Sequence, residues 1–192
     1  MGHAGLQFLE RIIAETEIPS SQFLPTHINR NRKLFESAVG FAQRGGYVDF
    51  TTSTVPHFLD DGEIKCSTAL RQMLESGVNV NQISFSSDGQ GSMPDFDASG
   101  MLKGLTVGRV TSLWEEVRDA VLIEKIPLET ALRVITLNPA KLLHLRRKGE
   151  IRPGYDADIV LLKKDSLTID SVISRGKVLM RHGDLLAKGT FE

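Results

Sequence analysis

Polar residues that could do chemistry follow the predicted ends of three strands. Residues 84–92, SFSSDGQGS, end a strand and deliver Asp88, while His27 follows a short apolar run and Thr51 closes another. A histidine in such a place can serve as a metal ligand, and a carboxylate as a proton acceptor. The ordinary alternatives are a capping or surface histidine and a simple Asp-Gly turn. The residues alone leave both interpretations open.

An alternation of helices and strands predicts the elements that position these residues. Apolar spacing predicts a helix to about residue 16, a second over residues 34–42 that ends at Gly45-Gly46, and a third over about residues 63–76. Strands are predicted over residues 47–52 and 80–86. Repeated αβ units with short connections predict a parallel sheet covered by helices, with functional residues at the carboxyl ends of the strands. Periodicity alone leaves open whether this sheet is part of a barrel or is doubly wound. The polar residues described above fall at those ends.

The last third of the chain changes from helices to strands. Helices are predicted over about residues 111–124 and 128–145, the second broken at Asn138-Pro139. From Lys148 onward the pattern is one of short strands separated by turns. A segment of this size is too small to fold alone. We therefore predict an α/β part over residues 1–146 and a segment of a small β domain over residues 147–192. The predicted turns of that segment are Pro153-Gly154, Arg175-Gly176 and His182-Gly183-Asp184.

Composition limits the class of protein. Apolar residues make up 41% and charged residues 24%, as in folded globular domains. A net charge of -1 gives no electrostatic argument for nucleic acid or an anionic membrane, and no apolar run could span a bilayer. The single cysteine, Cys66, excludes an internal disulfide or a cysteine-based zinc cluster and suits a reducing compartment. The first residues lack the pattern of a signal peptide, so we expect a cytoplasmic protein.

Several stretches of the chain resemble a known enzyme family. Residues 138–162, NPAKLLHLRRKGEIRPGYDADIVLL, resemble the C-terminal signature of the amidohydrolase superfamily. Residues 24–31, LPTHINRN, and 86–92, SSDGQGS, are similar to the corresponding segments of isoaspartyl dipeptidases, also called β-aspartyl peptidases. The C-terminal stretch RGKVLMRHGDLLAKGTFE is similar to that family as well. The resemblance extends from about Gly5 over nearly the whole chain.

This resemblance implies a fold, a reaction and a set of site residues. The implied fold is a (β/α)8 barrel, and the implied reaction is hydrolysis of isoaspartyl dipeptides by a zinc-activated hydroxide at a centre of two zinc ions. His27 is implied to be a zinc ligand, and Asp88 both a zinc ligand and the catalytic proton acceptor. Arg30 and Ser92 are implied to bind the substrate, since the planar fork of arginine suits a carboxylate. The implied assembly is a homo-oligomer, an octamer.

The sequence departs from the family pattern in its metal ligands. The family also uses a His-x-His pair, a carboxylated lysine and a further histidine, and no His-x-His occurs among the 192 residues. We therefore expect the chain to be the C-terminal half of the enzyme, inactive by itself and with exposed sheet edges, and we exclude His3 from the ligand set. Whether it is a cloned fragment, a truncated gene product or one of two associating pieces stays open.

Two other functions also stay open. Another amidohydrolase, such as a relative of dihydroorotase or hydantoinase, would share the metal ligands but lack the pairing of Arg30 with Ser92. A non-catalytic fragment or assembly module would keep the fold without the chemistry. Zinc content and hydrolysis of isoaspartyl-leucine separate these possibilities. We assign structural roles to the remaining histidines, His57, His144 and His182.

Overall fold

The structure, a computed structural model, describes residues 5–189, so His3 lies outside the described residues. The chain forms two compact units, Met1–Asn138 and Pro139–Glu192. No helix within residues 5–189 is long and apolar enough to cross a membrane. The helices are α1 (Gly5–Glu15), α2 (Arg32–Gln43), α3 (Pro56–Asp60), α4 (Cys66–Glu75), α5 (Ser112–Leu122), α6 (Leu128–Arg133) and α7 (Leu137–Leu142). The strands are β1 (Val48–Thr51), β2 (Ile83–Ser86), β3 (Ser92–Phe96), β4 (Leu102–Val107), β5 (Ile159–Leu162), β6 (Ile169–Ser174), β7 (Lys177–Arg181) and β8 (Asp184–Leu185).

Helix α2 shows how the sequence sets the bounds of an element. The side chain of Asn31 accepts a hydrogen bond from the Leu34 amide at 3.2 Å, which satisfies one of the free N–H groups of the first turn. At the other end Gly45 adopts a φ of +92°, and the Gly46 amide donates to the Phe41 carbonyl at 3.1 Å. A left-handed glycine followed by a bond back to the last turn is a common helix end. The predicted stop at Gly45-Gly46 is therefore confirmed.

Parallel strand pairing organises the first unit. Strands β1 and β2 are parallel neighbours, with Val48 opposite Ile83 and Thr51 opposite Ser86. An extended segment at residues 23–25 runs along the other side of β1, where the Asp49 amide donates to the Pro25 carbonyl at 3.0 Å. The strands are buried and the intervening chain is helical, as in a helix-covered parallel sheet. The predicted α/β class is confirmed.

The core lies between this sheet and the helices that cover it. Phe50 of β1 has its ring centroid 6.0 Å from that of Phe35 on α2 and 5.8 Å from that of Phe85 on β2. Aromatic pairs at such distances add to the free energy gained by burying the rings. Buried apolar residues of α4 and α5 extend the same cluster. The outer face of the sheet is therefore apolar, which leaves the opposite face for polar residues.

Three predicted elements differ from those observed. The helix predicted over residues 63–76 begins at Cys66, and the strand predicted over residues 80–86 begins at Ile83 after a short 3-10 turn. The helix predicted over residues 128–145 with a break at Asn138-Pro139 is two helices, α6 and α7, and the break lies earlier, between Arg133 and Leu137. Pro139 explains this break, since a proline in a helix interior clashes with the carbonyl four residues before it.

A β-hairpin that sequence analysis did not predict follows Asp88. Strands β3 and β4 pair antiparallel, with Ser92 opposite Val107 and a bulge beside Asp95. Pro94 lies inside β3, and proline is unusual in strands except at edges and bulges. The turn residues Asp97 and Ser99 are held together because the Asp97 carboxylate accepts hydrogen bonds from Ser99.

The outer edge of β2 is partly covered by the chain itself. The Phe85 amide donates to the Val134 carbonyl at 2.9 Å, and the Asn138 side chain donates to the Ile83 carbonyl at 2.7 Å. An open strand edge presents unpaired backbone groups that favour association. The expectation of exposed sheet edges therefore needs correction at β2, because the Phe85 amide and the Ile83 carbonyl on this edge have hydrogen-bond partners within the first unit.

The second unit is an antiparallel sheet in the order β5-β6-β7-β8. Its hairpins turn at Arg175-Gly176 and His182-Gly183, where all four residues have positive φ. Two successive positive φ angles match the twist of the flanking strands in a tight hairpin. The predicted hairpin turns are confirmed. Lys148 forms ion pairs with Asp156 and Asp158, which fix the loop before β5.

Candidate active site

The predicted site residues lie at one edge of the first unit. His27 follows the extended segment 23–25, Thr51 ends β1, and Asp88 comes two residues after β2. Because these segments run parallel, their carboxyl ends meet at the same edge of the sheet. Arg30 and Ser92 lie on the two connections that leave this edge. The Arg30 amide donates to the His27 carbonyl at 3.1 Å, but no side-chain hydrogen bond joins His27, Arg30, Asp88 or Ser92 to one another within residues 5–189.

His27 is held by the end of the neighbouring strand. Its backbone has a φ of 60° at the start of the 3-10 turn Ile28–Arg30. Its Nδ1 lies 2.7 Å from the Oγ1 of Thr51, a buried residue on β1. A partner at one ring nitrogen fixes the ring orientation and selects the nitrogen that stays available to a ligand. In this arrangement Nε2 is the available nitrogen.

Asn29 explains why the loop that carries His27 and Arg30 is rigid. It is fully buried, its Oδ1 accepts from the Thr51 amide at 2.9 Å, and its Nδ2 donates to the carbonyls of Thr51 and Ile64, both at 3.1 Å. The loop is therefore tied to the end of β1 and to the segment before α4. Sequence analysis did not select Asn29, although it lies between two residues that were selected.

We expect Asn29→Ala to destabilise the fold by roughly 2–4 kcal/mol, because it leaves several buried backbone groups without partners. Denaturant unfolding of the purified chain measures this. Asn79→Ala is the matched control: Asn79 is exposed and its side chain accepts one bond, from the Asn81 amide, so its loss should cost no more than about 1 kcal/mol. Equal losses in the two variants would contradict the role given to Asn29.

A buried carboxylate lies beneath the strand ends. Asp49 on β1 accepts hydrogen bonds from the hydroxyls of Thr26 at 2.7 Å, Ser84 at 2.8 Å and Ser86 at 2.5 Å. Burial raises the pKa of the Asp49 carboxyl, while the three hydroxyls and nearby His27 act in the opposite direction. Asp49 thus links Thr26, the residue before His27, to Ser84 and Ser86 of β2.

The connection after β2 brings its backbone close to Asp88. Asp88 is exposed with a φ of 50°, and its carboxylate accepts no hydrogen bond from residues 5–189. A Cβ at Gly91 would lie 2.8 Å from the Asp88 carbonyl oxygen, and one at Gly108 would lie 2.6 Å from the same oxygen. Only glycine fits at such approaches. These glycines therefore let the chain turn tightly around the base of Asp88, which leaves its carboxylate available to a ligand.

Arg30 is enclosed by residues that sequence analysis did not connect with it. Its Nη1 donates to the Glu63 carboxylate at 2.5 Å and its Nη2 donates to the Ser53 carbonyl at 2.7 Å. The guanidinium lies over the ring of Phe58, 5.2 Å from the centroid. The side chain of Arg30 is 15% exposed and that of Glu63 only 2%. Arg30 is thus a buried, oriented cation and not a solvated side chain.

Ser92 opens the hairpin that packs against α3. It is exposed and is the first residue of β3. At the other end of β3, the Phe96 ring lies 4.4 Å from His57 and 6.5 Å from Phe58 on α3. His57 is therefore a packing residue, in line with the role assigned to it. The hairpin thus packs against α3, whose Phe58 covers a face of Arg30.

The donor atoms at this edge suit zinc in kind. Zinc takes imidazole nitrogen and carboxylate oxygen as ligands, and His27 and Asp88 supply one of each. Within residues 5–189 no group of three or more His, Cys, Asp or Glu side chains is placed to hold a metal ion. A catalytic zinc site uses three protein ligands. The described residues therefore fit part of a metal site.

Comparison with known proteins gives the family. Residues 18–179 match the family model described as the amidohydrolase family. The chain belongs to the amidohydrolase family. Crystal structures of the β-aspartyl dipeptidase from Fervidobacterium islandicum AW-1, one in complex with β-Asp-Leu dipeptide, are 39% and 36% identical to it, with TM-scores of 0.82 and 0.80. Each covers 98% of this chain, which spans 48% and 46% of the two dipeptidase chains.

Other proteins similar to this chain are more distant. The allantoinase of Bacillus licheniformis is 33% identical over 147 residues, which cover 65% of this chain and 31% of the allantoinase. A zinc-bound adenosine deaminase from Xanthomonas campestris is 17% identical to this chain, with a TM-score of 0.55. The match covers 95% of this chain and 42% of the deaminase. The latter likeness shows the fold alone. The helices and parallel strands are consistent with part of the family's (β/α) barrel, followed by β strands.

Proposed function

We propose that this chain supplies part of the active site of a zinc-dependent β-aspartyl dipeptidase. The observation that carries the proposal is the 39% identity and TM-score of 0.82 to a β-aspartyl dipeptidase crystallised with β-Asp-Leu, over 98% of this chain. Because the chain spans about half of that protein, the proposed active species is this chain together with the rest of the family fold. That remainder lies in the same polypeptide or in a second one, and the whole is called the complete enzyme below.

Asp88 is the proposed proton carrier. Its carboxylate is exposed at the strand ends and has no hydrogen-bond partner among the described residues. It accepts a proton from the attacking water as the carbon–oxygen bond forms, and it delivers that proton to the leaving amine as the amide bond breaks. A carboxylate that acts first as base and then as acid leaves the site unchanged after one turnover.

His27 and Asp88 are the proposed metal ligands of this chain. Thr51 occupies Nδ1 of His27, so Nε2 would be the nitrogen that holds the metal. When bound, zinc acts as a Lewis acid on a substrate oxygen and lowers the pKa of bound water. The further ligands of a centre of two zinc ions come from the rest of the complete enzyme.

We also propose that the complete enzyme is a cytoplasmic homo-oligomer. Light scattering would test the assembly, and cell fractionation would test the location.

The test of this function is hydrolysis of β-Asp-Leu by the zinc-loaded complete enzyme, followed by release of free leucine. The α-linked isomer Asp-Leu is the control, because a site built for the β-linkage should discriminate against it. The 33% identity to an allantoinase supports a second candidate, hydrolysis of a cyclic amide. Hydrolysis of allantoin without hydrolysis of β-Asp-Leu would replace the first proposal with the second.

The proposed contact between Arg30 and a substrate carboxylate leads to a prediction for Arg30→Lys in the complete enzyme. Lysine keeps the charge but cannot bond Glu63, Ser53 and a carboxylate in one plane. We expect KM for β-Asp-Leu to rise about tenfold or more, with a smaller change in kcat and unchanged zinc content. Arg11→Lys, at an exposed arginine paired with Glu15, is the control. An unchanged KM would show that Arg30 does not touch the substrate.

A further inference from the structure

Glu63 faces Arg30 from the connection between α3 and α4. The Glu63 amide donates to the Phe58 carbonyl at 2.9 Å, and the next amide, that of Ile64, donates to the Asn29 carbonyl at 2.8 Å. The backbone of Glu63 is therefore fixed on one side to α3 and on the other to the loop that carries Arg30. These bonds fix the point from which the Glu63 side chain extends toward Arg30.

The carboxylate of Glu63 has one strong interaction. Its Oε2 lies 2.5 Å from Nη1 of Arg30, and its side chain is 2% exposed. Burying a carboxylate is costly unless a cation and hydrogen bonds compensate for the lost water. Arg30 provides that compensation, and in turn Glu63 balances a guanidinium that is itself mostly buried. Each charge therefore offsets the cost of burying the other in the folded state.

This pairing decides which donors of Arg30 stay available. Glu63 takes an N–H of Nη1, the Ser53 carbonyl takes an N–H of Nη2, and Phe58 covers a face of the guanidinium. The guanidinium has five N–H donors in one rigid plane. Fixing two of them in different directions fixes the plane and the direction of those that remain. A planar carboxylate needs such an oriented fork for two parallel hydrogen bonds.

We infer that Glu63 is the positioning residue that orients the guanidinium of Arg30 toward a carboxylate of the dipeptide. The inference rests on the proposed function and adds to it a residue that does not itself contact the substrate. Glu63 acts through the orientation of Arg30, while Ser53 and Phe58 limit the remaining rotation. The ligand class that this arrangement selects is a dipeptide with a free carboxylate opposite Arg30.

The experiment measures binding without turnover, in the complete enzyme carrying Asp88→Asn. Calorimetry gives Kd for β-Asp-Leu and for two analogues, each with a different one of its carboxylates converted to an amide. We expect Glu63→Gln to raise Kd for β-Asp-Leu by about tenfold or more, since the amide removes the negative charge that strengthens the hydrogen bond from Arg30. One analogue lacks the carboxylate that meets Arg30 and therefore makes no contact that Glu63 could orient. Its Kd should be about the same for the Asp88→Asn parent and for the parent with Glu63→Gln added.

Two further variants make the result decisive. Glu63→Asp keeps the charge but is one methylene shorter, so it should show the same selectivity for the carboxylate with a smaller rise in Kd. Glu75→Gln removes a carboxylate from the exposed pair with Arg71 and should leave all Kd values unchanged. If Glu63→Gln raises Kd for all three ligands to the same degree, or raises none of them, the role given to Glu63 is overturned. If the complete enzyme with Asp88 intact does not hydrolyse β-Asp-Leu and its Asp88→Asn variant does not bind it, the proposed function fails instead.

Discussion

Asp88→Asn in the complete enzyme should reduce kcat for β-Asp-Leu by at least about 100-fold, the lower end of what a general acid–base group contributes. The amide has the size and shape of the carboxylate but cannot accept the proton of the attacking water. The backbone around Asp88, with its φ of 50° and the close approaches of Gly91 and Gly108, accepts asparagine without strain, because asparagine also adopts positive φ readily. We therefore expect the fold and the melting temperature to be unchanged.

Zinc content separates the two roles proposed for Asp88. An amide oxygen is a weaker ligand than a carboxylate, but the other ligands of the complete enzyme should retain most of the metal. Elemental analysis of the variant, measured beside its kinetics, checks this. Asp165→Asn, at an exposed aspartate in the second unit, is the control and should leave kcat unchanged. A loss of kcat below about tenfold would rule out Asp88 as the proton carrier.

Sequence analysis predicted elements whose signals are local. Helix α2 has a cap at Asn31 and a stop at Gly45-Gly46, and both lie within a few residues of the apolar pattern that they bound. The hairpins at Arg175-Gly176 and His182-Gly183 are equally local, because their turn residues alone set the backbone. The family motifs added the barrel class, which periodicity alone leaves open between a barrel and a doubly wound sheet.

What sequence analysis missed depends on contacts between distant residues. Glu63 meets Arg30 across 33 positions, and Asp49 meets Thr26 across 23 and Ser86 across 37. The alternation of β1 was visible, but the partners of Asp49 are known only once β1 and β2 are paired in register. The hairpin β3–β4 was missed for a different reason: Pro94 and the mixed polar pattern around it argue against a strand.

Residues 1–192 by themselves should bind no stoichiometric pair of zinc ions and should not hydrolyse β-Asp-Leu. His27 and Asp88 are the two proposed donors of this chain, one fewer than a catalytic zinc site uses. Residues 5–189 contain no group of three or more His, Cys, Asp or Glu side chains placed around a metal position. Elemental analysis of the purified chain and an assay of leucine release measure both parts of this prediction.

Unfolding must be separated from a shortage of ligands as the cause of inactivity. The outer edge of β2 is partly satisfied by Val134 and Asn138, and the first unit has an apolar core around Phe50, so we expect the isolated chain to show cooperative thermal unfolding by circular dichroism. The decisive step is to add, with zinc, a separately produced polypeptide covering the part of the family fold outside the region that this chain matches. Activity should appear on mixing, and two variants of this chain should prevent it: His27→Ala removes a metal donor and Asp88→Asn removes the proton carrier, and the added piece replaces neither. Full activity of the isolated chain would overturn the shared-site proposal, and so would mixing that restores activity equally well with His27→Ala.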